Sequence, residues 1–125
     1  MKHERHYTLE QANAAVGWVR ERIARMREAR EQLGDEEARA ALSDAAPTNG
    51  GGAPGVIVSE AFLSLRGALG ELAEMEIVLR DLEQGLIDFP AIRDGREVYL
   101  CLEDGEDEIA FWHDVEAGYG GRQPL

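Results

Sequence analysis

Residues 85–122 read GLIDFPAIRDGREVYLCLEDGEDEIAFWHDVEAGYGGR, and here the apolar positions begin to alternate instead of recurring every three or four residues. Together with IVLR at residues 77–80, the segments LIDF, REVYLCL and EIAFWH read as four short strands rich in β-branched and aromatic side chains. Asp94-Gly95 and Asp104-Gly105-Glu106-Asp107 supply turn chemistry between them, so the segment 77–113 is expected to form an antiparallel β-meander followed by a tail over 114–125. The same stretch holds the only cysteine, one of three histidines and most of the aromatic residues.

Register decides which of these side chains meet. For the last hairpin, a turn at Gly105-Glu106 pairs Leu102 with Ile109, Cys101 with Ala110, Leu100 with Phe111 and Tyr99 with Trp112. A turn at Asp104-Gly105 sets Leu102 against Asp107. The first keeps apolar partners opposite one another and is the expected register. It puts His113 on a face with Val98, Leu100, Leu102, Ile109 and Phe111, and Tyr99, Cys101, Ala110 and Trp112 on the other. Both faces are then largely apolar. One can pack on helices, and a symmetric partner subunit is the economical cover for the other.

Upstream, the pattern is helical. Thr8 and Gln11 have capping-box spacing, and Leu9, Ala12, Val16, Val19, Ile23, Met26 and Leu33 form a stripe interrupted at Arg30, so a first helix of coiled-coil character is expected over 8–42, with Gly34 as a point of breakage or bending. Trp18 sits beside the stripe and is read as a flank contact. SDAAPTNGGGAPG at 43–55 cannot sustain helix or strand and reads as a flexible connector; it lacks the GxxxxGK[ST] pattern of a phosphate loop. A second helix is expected over 57–76, with Ser59 as N-cap and Val58, Phe62, Leu65, Leu69, Leu72 and Leu79 as its apolar positions. The expected fold is α+β: a long antiparallel helical hairpin packed on a small antiparallel β-meander, in one domain of 125 residues.

The net charge of −12 argues against nucleic acid, because a phosphate-tracking surface needs clustered Lys and Arg, and argues equally against anionic membranes. It is unevenly placed: residues 81–125 carry 12 acidic and 3 basic side chains, net −9, against 13 and 10, net −3, in residues 1–80. Such a patch is first a solvated surface that keeps a protein soluble, and it also suits a basic protein partner or a divalent cation. One cysteine makes no internal disulfide, MKHERHYTLE has no apolar signal core, and no run approaches a membrane span, so a soluble cytoplasmic protein is expected.

Candidate chemistry centres on His113. Asp114 and Glu116 are near it in sequence, Arg96 lies on the neighbouring strand and Arg122 in the tail. Asp88 interrupts the apolar run Leu-Ile-Asp-Phe, where an ionised carboxylate needs a partner. Asp88, Arg96, His113, Asp114 and Arg122 are therefore the candidate ligand-binding residues, for a metal or for acid-base work. A histidine ending a core strand also serves as an ordinary hydrogen-bonded structural residue. Cys101 as a nucleophile is set aside, because the expected register places it across the sheet from His113.

The chain resembles the uncharacterised prokaryotic proteins grouped as domain of unknown function 2203. The likeness rests on YTLEQANAAV at 7–16, Gly85 to Pro90, Asp94 to Val98, Leu100-Cys101, Gly105-Glu106, Trp112-His113-Asp114 and Gly118 to Arg122. In that family tryptophan often follows the cysteine, where this chain has Leu102, and glycine often stands at Glu76. The resemblance implies that Asp88, Arg96, Trp112, His113 and Arg122 share a pattern, as a site or an interface, and implies no activity. The leading expectation is a non-enzymatic assembly protein acting as a homodimer. The alternative is a small-ligand or metal-binding protein, with hydrolysis as an activity such a site can support.

Overall fold

A computed structural model describes residues 1–43 and 59–125; the connector expected at 43–55 lies, from residue 44 onward, outside the described residues. The architecture is α+β, with helices on one face of a five-stranded antiparallel sheet. No described helix is long and apolar enough to cross a membrane.

Helix α1 spans Leu9–Glu31. Its capping box forms as the spacing predicts: the Gln11 amide donates to Thr8 Oγ1 (3.0 Å), and the Thr8 amide donates to Gln11 Oε1 (2.9 Å). Ala12, Val16, Val19, Ile23, Met26 and Ala29 are buried, so Ala29 takes the core position that Arg30 seemed to interrupt, while Leu9 is 42% exposed. Trp18 packs at the flank of the core with the Arg22 guanidinium over its ring.

The expected helix over 8–42 is two helices. Gln32 closes α1, Gly34 is extended, and α2 restarts at Asp35–Leu42. Asp35, Glu36 and Glu37 fill the first turn of α2, where negative charge is favoured by the free amides, and Arg30 pairs with Asp35 at 2.8 Å across the break. Helix α3, Glu60–Glu74, is capped by Ser59, which accepts from the Phe62 amide, and packs on both α1 and α2; the start of the expected 57–76 helix lies outside the described residues, and its end comes two residues earlier than expected. Its end is sharp. Glu76 adopts φ 56, and the Ile77 amide turns back to the Leu72 carbonyl at 3.0 Å. This is a left-handed position that glycine would occupy without a steric cost.

The sheet is the meander β1 (Val78–Asp81), β2 (Leu86–Arg93), β3 (Arg96–Leu102), β4 (Phe111–Asp114) and β5 (Gln123–Pro124). Asp94 and Gly95 both have positive φ (52 and 78), the two-residue hairpin geometry that an Asp-Gly pair favours, and this fixes Arg93 opposite Arg96 and Asp88 opposite Cys101. Pro90 lies within β2 without disrupting it. Its carbonyl points to the outer edge and accepts from the Tyr7 amide at 2.7 Å, so its missing N–H is also on the side where β3 needs no donor.

The expected β3–β4 register is off by one. Tyr99 pairs with His113, Leu100 with Trp112 and Cys101 with Phe111. The link between the strands is longer than a tight hairpin: the Glu106 amide returns to the Glu103 carbonyl, the Glu103 amide donates to Glu106 Oε1, and the Ile109 amide is held by Asn13 Oδ1 at 2.8 Å. Ile109 thus reaches the core from the loop, and the strand behind it slips one place.

That shift reassigns the faces. Ile87, Phe89, Ala91, Val98, Leu100, Leu102 and Trp112 form the inner face, in one core with the helices. Asp88, Pro90, Tyr99, Cys101 and His113 share the outer face and are buried. The chain's own ends contribute to its cover. Glu97 accepts from the amides of Lys2 (2.8 Å) and His3 (2.9 Å), and His3 Nε2 lies 2.7 Å from Tyr99 Oη. The expected tail is also ordered, with a 3-10 turn at Tyr119–Gly121 and β5 paired to β4.

Candidate metal centre

An ionisable side chain in the middle of a buried sheet face must find partners, because the cost of stripping it of water is several kcal/mol. Asp88 is 1% exposed and His113 2% exposed, and they find each other: His113 Nε2 is 3.0 Å from Asp88 Oδ1. The other carboxylate oxygen, Oδ2, accepts from Arg80 Nε at 2.8 Å. Arg80 is the extra residue of an irregularity in β1, between Leu79 paired to Ile87 and Asp81 paired to Leu86. Val78 pairs with Asp88 on the outer face and Leu79 with Ile87 on the inner one, so alternation along β1 returns Arg80 to the outer face.

His113 Nδ1 lies 2.8 Å from the Asp114 carbonyl oxygen, which can only accept, so Nδ1 carries a hydrogen. Nε2 is therefore the nitrogen directed at Asp88, and one proton lies between them. Cys101 completes the group. Its sulfur, a ring nitrogen of His113 and a carboxylate oxygen of Asp88 all lie within 4.8 Å of one another, and all three residues are buried. Tyr99 closes the side, with its ring 5.5 Å from that of His113 and the Arg80 guanidinium 5.0 Å from its centroid.

Burial pushes the Cys101 thiol up to about 12, with the Asp88 charge adding to the effect and the Arg122 charge opposing it. The thiol is therefore protonated at neutral pH. Cys101 is no activated nucleophile, though for a different reason from the expected one: it lies beside His113, yet the only His113 nitrogen not committed to a carbonyl faces Asp88. For Arg80, burial acts to lower the pKa, and the hydrogen bond and charge of Asp88 outweigh it, so the guanidinium is held charged.

Of the five candidate residues, Asp88 and His113 come together. Arg96 and Asp114 do not join them through their side chains. They form a surface pair at 3.3 Å with 64% and 42% side-chain exposure, because their strand positions belong to the inner-face set beyond the edge of the core. Asp114 contributes its backbone carbonyl instead. Arg122 lies over the ring of Phe111 at 4.2 Å, on the residue paired with Cys101, and its Nη2 donates to both oxygens of Glu106 at 2.8 and 2.9 Å.

Arg80 was missed because only the pairing of Val78 with Asp88 shows that β1 presents it on the outer face. Cys101 was legible: the Asp94-Gly95 turn alone places it opposite Asp88.

The chemistry of the donors is that of a borderline-soft divalent cation. Sulfur, imidazole nitrogen and carboxylate oxygen are the three donor types of zinc-class sites, and an Nδ1–H held by a backbone carbonyl is the usual orientation of a metal-ligating histidine. A divalent cation with one thiolate and one carboxylate is electrically neutral, which makes the neighbouring guanidiniums tolerable.

Comparison with curated proteins gave no match, and comparison with solved structures gave none. The family model of the uncharacterised conserved proteins DUF2203 matches residues 5–125, and the chain belongs to that family.

Proposed function

We propose that the protein binds a divalent transition-metal ion of the zinc class through Asp88, Cys101 and His113. The observation that carries this reading is the convergence of three buried donor atoms within 4.8 Å, with the histidine tautomer already fixed for coordination through Nε2. Binding replaces the proton between Nε2 and Asp88 and the proton of the Cys101 thiol, so the buried group keeps its net charge. Three protein ligands leave a fourth position for water or a small ligand, as a hydrolytic role would also require.

Titration of metal-free protein with Zn2+, followed by thermal unfolding, tests the reading. At a free concentration of about 100 times Kd the folded state gains about 2.7 kcal/mol, and the transition rises accordingly. Cys101→Ala and His113→Ala lose that rise. If Zn2+, Co2+ and Ni2+ all leave the wild-type transition where it was, the reading fails.

Assembly as a cytoplasmic homodimer through the helical hairpin is a separate proposal. It draws support from Leu63, 45% exposed on α3, one turn before Gly67 and two before Gly70, whose surroundings are open. The outer sheet face gives it less support than the alternation pattern suggested, since residues from both chain ends lie against that face. Sedimentation at micromolar concentration tests it, and a strictly monomeric chain contradicts it.

A further inference from the structure

Arg122 is held on almost every side. Its Nη2 takes both oxygens of Glu106, its Nη1 lies 3.8 Å from Glu103 Oε1, and its plane is flanked by the rings of Phe111 at 4.2 Å and Tyr119 at 5.2 Å. Its Nε–H is buried and has no hydrogen-bond partner. A buried donor without a partner forfeits its bond to water and gains nothing in return, so a fixed guanidinium with one orphaned N–H calls for an acceptor. The tail places Arg122 beside β4 with its guanidinium over the ring of Phe111, the residue paired with Cys101, and its charge acts to lower the Cys101 pKa against the effect of burial. A neutral thiol is a weak acceptor. A metal-bound thiolate carries negative charge and accepts well.

We infer that Arg122 is a positioning residue for the metal centre, donating its Nε–H to the Cys101 sulfur once that sulfur is a metal-bound thiolate. The inference rests on the metal-binding reading above and adds the group that orients and tempers the sulfur ligand. It also gives the Glu106 contact a purpose: Glu106 holds the far edge of the guanidinium so that Nε keeps one direction. Hydrogen bonds to ligating groups of this kind typically govern metal affinity by about 10- to 100-fold.

The test is a titration of the full chain with Co2+ under reducing, oxygen-free conditions, following the sulfur-to-cobalt charge-transfer band in the near ultraviolet. Wild type develops the band. Arg122→Met binds Co2+ about 10- to 100-fold more weakly, and its band moves to lower energy, because a sulfur without its N–H donor gives up electron density more readily. Arg122→Lys keeps the positive charge but has no Nε–H, so its band moves in the same direction; this variant carries the test if Arg122→Met fails to fold. A role in packing alone would change the unfolding temperature and leave the band in place. Unchanged affinity and band position in both variants overturn the inference while leaving the metal centre standing. Absence of the band in wild type overturns the metal reading itself, and the inference with it.

Discussion

The two faces of the sheet are built from neighbouring residues of the same strands and solve opposite problems. The inner face, with Phe89, Val98, Leu100 and Trp112, buries apolar side chains against α1 and α3 and needs only shape and volume. The outer face, one residue along each strand, buries Asp88, Tyr99, Cys101 and His113, and each polar atom there must be matched with a specific partner. The difference teaches where function can reside. An apolar face is satisfied by packing, whereas the outer face commits a carboxylate, an imidazole, a thiol and the guanidinium of Arg80 to one small region.

Truncation on either face should be costly, for different reasons. Phe89→Ala removes a fully buried ring from the inner core and is expected to lower stability by about 3–5 kcal/mol, read from urea unfolding, with metal binding retained by whatever fraction is folded. Asp88→Ala breaks the outer network and leaves His113 and Arg80 without their shared acceptor. Its expected cost is about 3 kcal/mol, at the lower end for a broken buried pair because Arg80 is 41% exposed and recovers water, and it abolishes metal binding. A loss below about 1 kcal/mol in Asp88→Ala would mean that the outer network is not a coupled unit.

The segment that leads onto the outer face offers a finer test. Glu76 combines a left-handed backbone with a carboxylate that accepts from the Arg5 amide at 2.7 Å and the Glu4 amide at 3.2 Å. Glu76→Gly and Glu76→Ala both lose the carboxylate, but only glycine relieves the backbone, so the glycine variant should be the more stable of the two by about 1 kcal/mol. Equal stabilities would show that the end of α3 does not hold this conformation in solution.

The smallest effect concerns pH. Burial acts to raise the Glu97 pKa, but hydrogen bonds from His6 and from the His3 and Lys2 amides outweigh it and hold the carboxyl at about 2, below its usual 4.5. A group depressed in the folded state contributes stability that is fully present above 4.5 and is lost as pH falls toward 2. Amide exchange at Lys2 and His3 should therefore accelerate, relative to its intrinsic rate, as pH falls through that window. Glu97→Gln should remove this dependence; protection that persists at pH 2 in wild type would show that the segment is held by something else.

The helices and the meander were legible in the sequence because each rests on local chemistry: the Thr8–Gln11 box, the Ser59 cap and the Asp94-Gly95 turn dictate their geometry within a few residues. What local chemistry could not supply was the length of the Glu103–Ala110 link. Apolar matching favoured pairing Ile109 with Leu102, but Asn13 of α1 captures the Ile109 amide, and a contact between residues 96 positions apart set the register. The one-place slip moved His113 from the face of Leu100 to that of Cys101. Asp88 and His113 stood out because each is out of keeping with its apolar run. Arg96 and Asp114 stood out by proximity in sequence, which strand alternation does not respect.

The most direct test of the central claim is X-ray absorption at the zinc edge of the zinc-loaded protein. The account predicts one sulfur at about 2.3 Å together with nitrogen and oxygen neighbours at about 2.0–2.2 Å, the sulfur vanishing in Cys101→Ala. A spectrum with only nitrogen and oxygen neighbours in the wild-type protein would place the metal elsewhere and contradict it.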